Sequence, residues 1–256
     1  AIFGSLLHRI MERIYKPCTG KDVDRQTLKE IIENTGETVR IAGESINEIL
    51  YGGSAAYGIR REQVTEGILS SYAGLILKRD YTCAPFILSG LEKSVRSVMR
   101  ISLEGNDEEI LIGGIIDRLD RKGGVLRILD YKTGNVSMEA ESVESLFDES
   151  DEKRNEAWFQ ILMYCEIMAG SGESNSIRPA IYSMRGLSNP DYSEMLTIGS
   201  DKGSSFTLES YDRIREEFSE RLASAVRSVF SRENPFVMTD NTRKCDYCPY
   251  RALCRR

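Results

Sequence analysis

The stretch GGIIDRLDRKGGVLRILDYKTG, residues 113–134, constrains the fold more than any other part of the chain. Two apolar runs flank the turn-prone DRKGG, the pattern of a β-hairpin. Side chains alternate between faces along a strand, so a loop with an even number of residues brings Asp117 and Asp130 out on one face. They then lie opposite each other or one diagonal apart, about 5–8 Å between positions. Lys132, two residues beyond Asp130, points the same way. An odd-numbered loop breaks this geometry. Arg118, Asp120 and Arg121 read as solvated turn residues.

Two carboxylates and an ammonium gathered at the ends of buried strands are costly to desolvate unless they bind something. Hydrated Mg²⁺ is commonly held by one or two carboxylates together with phosphate oxygens. A metal so placed positions and acidifies water for in-line attack on phosphorus, and a neighbouring lysine helps to orient or activate that water. A surface Asp–Lys salt bridge on a hairpin accounts for the same residues, and the pattern alone leaves both readings open.

The rest of the chain supplies the surroundings. Residues 3–16 form an amphipathic helix with Leu6, Leu7, Ile10, Met11, Ile14 and Tyr15 on one stripe. Helical patterns follow at 25–34, 44–51 and 60–79, with Gly52, Gly53 and Gly58 as interruptions. From Pro85 the runs FILSGLEKSVRSVMRISL, EILIGGIIDRL and VLRILDY are β-rich. A helix is expected over 152–169, strands near 178–185 and 193–198, and a long helix over 208–231. This order predicts an α/β fold, a central mixed sheet flanked by helices. One domain is expected over 1–256, with a mainly helical part (1–84), a core (85–240) and a Cys-rich tail (241–256).

The 256 residues carry a net charge of −6, which argues against a general nucleic-acid coating protein. No apolar run is long enough to span a membrane, and the first residues lack the features of a secretory signal. Three of the cysteines (Cys18, Cys83, Cys165) are scattered, which suits a reducing cytoplasm better than a disulfide framework. The sequence opens inside an amphipathic pattern without Met, so it is expected to be the C-terminal piece of a larger protein.

Four further features are candidates for function. His8 is the only histidine, at the margin of the first apolar stripe; such a residue more often packs than ligates. Gln160 and Tyr164 lie at i and i+4, on one helix face beside Ile161, Leu162, Cys165 and Met168. Glu92 reads as a solvated or structural glutamate. Cys245, Cys248 and Cys254 form a C-x₂-C-x₅-C array that suits zinc or an iron–sulfur cluster, although either normally takes four ligands.

Taken together these motifs resemble the PD-(D/E)XK nucleases of the RecB, AddA and AddB group, in that family's order, across residues 3–254. The resemblance implies a restriction-endonuclease-like core with an N-terminal helical lobe. It implies that Asp117, Asp130 and Lys132 are catalytic, that the Tyr131 backbone carbonyl and His8, the latter in a motif with Gly4, ligate metal, and that Gln160 and Tyr164 line the DNA path. Glu92 lies in a strand similar to the family's, yet still reads as structural. The tail is similar to that of relatives in which a [4Fe–4S] cluster staples the end of the domain to its beginning. There the first cysteine lies upstream of the histidine motif, so the cluster is expected in the full-length protein and incomplete in these 256 residues, unless Cys18 or Cys83 substitutes; zinc is the runner-up. The activity implied is Mg²⁺- or Mn²⁺-dependent DNA hydrolysis, as an exonuclease partnered by a helicase domain or subunit in double-strand-break repair and recombination. A non-cleaving DNA-binding or scaffold module is the alternative, against which the intact acid–acid–lysine set argues. A zinc-ribbon-like interaction protein explains only the tail.

Overall fold

The computed structural model describes residues 2–53, 60–103, 105–148, 156–172, 176–199, 204–235, 237–239, 242–246 and 248–255. Four helices come first: α1 (Ile2–Tyr15), α2 (Arg25–Glu33), α3 (Thr35–Tyr51) and α4 (Arg60–Cys83), with a short strand β1 (Asp22–Val23) after α1. The long hairpin β2 (Phe86–Leu103) and β3 (Asn106–Lys122) leads into β4 (Val125–Lys132). Then come β5 (Glu139–Ala140), α5 (Glu156–Gly170), β6 (Ile177–Ser183), β7 (Thr197–Ile198), β8 (Phe206–Thr207), α6 (Arg215–Phe230) and α7 (Arg251–Cys254).

Local chemistry sets the boundaries. Asp24 caps α2 by accepting from the Thr27 N–H at 2.8 Å, and Asn34 caps α3 by accepting from Glu37 N–H at 3.3 Å. Gly52 ends α3 in the left-handed conformation, φ 60°. The α3 cap explains why this helix begins at Thr35 and not near 44: Gly36, Thr38, Val39 and Gly43 weaken the helical pattern, but a satisfied cap and tertiary packing carry the first turns. At the other end of the chain the expected helix over 208–231 starts only at Arg215, because a separate 3₁₀ turn, Tyr211–Arg213, precedes it. The strand expected near 193–198 shrinks to Thr197–Ile198. Gly58 and residues 152–155 lie outside the described residues.

The main sheet has the order β1-β2-β3-β4-β6. All its pairs are antiparallel except β4–β6, which is parallel and bridged by α5. A small second sheet has the order β5-β7-β8. The main sheet separates two apolar cores. Leu129 and Tyr131 of β4 pack with Leu7, Ile10 and Met11 of α1 and with residues of α3 and α4. Leu126 and Ile128, on the opposite face, pack with Trp158, Ile161 and Leu162 of α5 and with Phe218 of α6. A sheet with helices on both faces is the α/β architecture the sequence predicts. Among the described residues no helix is long and apolar enough to cross a membrane.

One expectation is overturned. Arg118 and Asp120 are not solvated: both are 0% exposed. Arg118 pairs with Asp80 of α4 at 2.7 Å and with Asp120 at 2.8 Å, and Arg127 Nε donates to Asp120 at 2.6 Å. The Arg118 guanidinium also lies 4.9 Å from the Tyr15 ring centre and 4.5 Å from that of Phe86. The residues nearest the turn look polar and free in sequence because their partner, Asp80, lies far away along the chain and arrives only when α4 docks.

Candidate active site

The turn between β3 and β4 is Gly123–Gly124, with φ 58° and 83°, a two-residue loop whose left-handed backbone glycine accommodates. The loop is even. Lys122 pairs with Val125 and Arg118 with Leu129, so one further step sets Asp117 opposite Asp130. Asp117 and Asp130 are 7% and 3% exposed. An Asp117 carboxylate oxygen accepts the Tyr131 backbone N–H at 2.8 Å. Lys132 Nζ donates to Asp130 Oδ1 at 2.9 Å and to Gln160 Oε1 at 3.0 Å, and Gln160 Nε2 donates to the Tyr164 hydroxyl at 3.0 Å.

From the other face of the sheet, α1 delivers His8. Its Nε2 lies 2.9 Å from the Tyr131 carbonyl oxygen, and its Nδ1 is 3.4 Å from Asp117 Oδ1. The helix lies close to the strand end: a Cβ placed on Gly4 would be in ordinary contact with Thr133 Oγ1 at 3.7 Å. Nε2 is engaged by the carbonyl, so Nδ1 is the nitrogen placed to share a cation with Asp117, because neighbouring ligands of an octahedral ion at about 2.1 Å stand about 3 Å apart.

Glu92 completes the arrangement. It reads from sequence as solvated or structural, yet His8, Glu92 and Asp117 each place a ligand atom within 4.8 Å of the others. Glu92 lies in the β2–β3 register between Leu91↔Arg118 and Lys93↔Ile116, directly across from Asp117. Its φ of 44° is one that a residue with a side chain rarely adopts. The signal that could have found it is the other hairpin turn. Leu103 pairs with Asn106 beside Gly105, whose φ is 85°, and counting back along both strands brings Glu92 to Asp117.

Burial raises the proton affinity of all three acids. Burial and then the neighbouring Asp117 push Asp130 up to about 6. Burial, then Asp117, push Glu92 up to about 7. Asp117 is raised by burial, with His8 pulling against it. One Asp130 oxygen, Oδ2, is buried and makes no well-aligned hydrogen bond, although Lys132 Nζ is 2.8 Å away. Hard oxygen and imidazole donors, excess negative charge and an under-satisfied carboxylate oxygen together fit a divalent cation such as Mg²⁺ or Mn²⁺.

The sequence profile of the PD-(D/E)XK nuclease superfamily matches residues 1–255. The chain belongs to the PD-(D/E)XK nuclease superfamily. No curated protein matches it. The mixed sheet and its flanking helices are accordingly a restriction-endonuclease-like fold, and a metal-dependent nuclease is the activity the superfamily carries.

The tail is placed less informatively. Cys245 is buried and Cys248 and Cys254 are half-buried, joined by a turn in which the Cys248 N–H donates to the Cys245 carbonyl at 3.2 Å. Among the described residues these thiols do not belong to a group of three ligand atoms within 4.8 Å of one another. Cys18 belongs to the core under α1, where burial pushes its thiol up. All six cysteines are free.

Proposed function

We propose that this chain is a Mg²⁺- or Mn²⁺-dependent deoxyribonuclease of the RecB/AddB-like type. The observation that carries the reading is the convergence, from three separate parts of the fold, of Asp117, Asp130 and Lys132 with His8 from α1 and Gln160 from α5. Asp117, Asp130, His8 and the Tyr131 carbonyl would hold the ion, with Glu92 as a further acidic donor. A divalent ion bound there supplies Lewis acidity toward a phosphodiester oxygen and lowers the pKa of water.

The chain's own groups do the positioning. Lys132, held between Asp130 and Gln160, presents an ammonium to the attacking water or to a phosphate oxygen. Asp117 is fixed by its bond from the Tyr131 N–H and cannot swing away when substrate phosphate enters. Burial excludes bulk water from the two aspartates, which strengthens their grip on a cation. Gln160 stands at the edge of the site, on the side where the family resemblance puts the DNA path, and Tyr164 is buried behind it, so its part is to back Gln160.

Exonuclease action, a helicase domain or subunit as partner, a role in double-strand-break repair and recombination, and a cytoplasmic setting belong to the same proposal. They are supported by the family resemblance and, for the setting, by six free thiols. So does a [4Fe–4S] cluster held in part by Cys245, Cys248 and Cys254, supported by their spacing. End-labelled linear DNA and closed circular DNA, each single- and double-stranded, test the activity with Mg²⁺ and with EDTA. Metal-dependent loss of the linear substrates alone is expected. Absence of metal-dependent cleavage of all four would overturn the proposal.

A further inference from the structure

Resting on the nuclease reading above, we infer that Gly114 is a positioning residue: the bare backbone of β3 there is the seat on which Tyr164 rests, and through Tyr164 and Gln160 it aims Lys132. Gly114 is absent from the glycines with positive φ, so its backbone is one that any residue adopts. What excludes a side chain is space. A Cβ at this position would lie 2.7 Å from both Cε1 and Oη of Tyr164 and 3.1 Å from Cζ. Contacts this short are far inside van der Waals separation, so the ring and the side chain cannot coexist unmoved.

The ring has little freedom to give way. Tyr164 is 5% exposed and belongs to the core under α5 with Val95, Ile116 and Ile161. Its hydroxyl accepts the Gln160 Nε2–H at 3.0 Å, and the same amide's oxygen accepts from Lys132 Nζ at 3.0 Å. The ammonium has only donors and so selects the amide oxygen, and the tyrosine hydroxyl anchors the opposite, NH₂ end of the same amide. With the hydroxyl displaced, the amide loses its anchor and can swing off the ammonium, and Lys132 then keeps only its bonds to Asp130. Gly113, the neighbouring glycine, has a different task. A Cβ on it would meet the Val95 carbonyl oxygen at 2.5 Å, so it lets β2 and β3 approach. Of the two, only Gly114 touches the chain of bonds that ends at Lys132.

Gly114→Ala, Tyr164→Ala and the double variant form a cycle that isolates this route. Misplacement on the scale of an ångström costs up to about 100-fold in rate. The expected result is a fall in kcat of about tenfold or more for Gly114→Ala, with KM for linear DNA within about threefold, and no further fall when Gly114→Ala is added to Tyr164→Ala. A kcat within about twofold of wild type, or an equal loss in both backgrounds, would overturn the inference. Should Gly114→Ala fail to fold, Tyr164→Phe keeps the ring and deletes the hydroxyl. It is expected to show the same loss of kcat, and full activity in that variant would be equally contrary.

A readout independent of cleavage separates this inference from the nuclease reading. The side-chain NH₂ resonances of Gln160, assigned by their disappearance in Gln160→Glu, should shift and exchange faster with water in Gly114→Ala or Tyr164→Phe. Unchanged Gln160 resonances would overturn the inference even in a fully active nuclease. Shifted resonances in a protein that never cleaves DNA would uphold the seat and reject the nuclease reading instead.

Discussion

Glu92 bears a load out of proportion to its appearance in the sequence. A left-handed backbone at a residue with a side chain persists only where the surroundings compensate for it, and here it sets a carboxylate against Asp117 and His8. Glu92→Ala is therefore expected to weaken Mn²⁺ binding by about 10- to 100-fold, the range seen when a group supporting a metal site is lost. Calorimetric titration checks this, and unchanged affinity would remove Glu92 from the site. The raised acids also set a pH dependence. Asp130 and Glu92 bind a proton more tightly folded than unfolded, so their favourable contribution is complete below pH 4 and is lost as pH rises through about 6 and about 7. In EDTA, Asp130→Asn should gain in Tm relative to wild type between pH 5 and pH 8, and saturating Mg²⁺ should reverse that ranking. A difference that stays flat with pH would refute the assignment.

At the scale of elements, the hairpin was the most legible part of the chain. Alternation and the two-residue spacing of Asp130 and Lys132 put the acids and the lysine on one face if the loop is even, and the Gly123–Gly124 turn meets that condition. The charges beside them were not legible. Arg118, Asp120 and Arg127 look like ordinary hairpin polarity, and only the docking of α4 reveals them as a buried cluster around Asp80. Tyr15 and Tyr182 also donate to Asp80, so one carboxylate joins α1, α4, β3 and β6. Removing one partner of such a pair leaves an uncompensated buried charge, at about 3–5 kcal/mol. Asp80→Ala should lower the urea midpoint by a corresponding amount, and a midpoint near that of wild type would show that the cluster is not what holds α4 to the sheet. The helices were legible where their stripes were clear, as in α1, and blurred where glycine interrupted the pattern, as in the first half of α3.

The whole molecule explains why the site could be named from motifs yet not assembled from them. The main sheet lies between two cores, and the carboxylates sit at the end of β4 where the helical lobe on one face and α5 on the other both reach it. His8 and Gln160 stand 152 positions apart, and no local rule joins them. Their proposed joint role came from resemblance, and the fold brings both within reach of the same pair of strands. The proposed function gives separate tasks to two neighbours, metal holding to Asp130 and orientation of the attacking water or phosphate to Lys132. Metal-dependent cleavage of linear DNA, measured beside Mn²⁺ binding for Asp130→Ala and Lys132→Ala, tests that division most directly. The expected result is loss of cleavage by about 100-fold or more in both, with Mn²⁺ affinity lost in Asp130→Ala and retained in Lys132→Ala. Cleavage at the wild-type rate by either variant would contradict it.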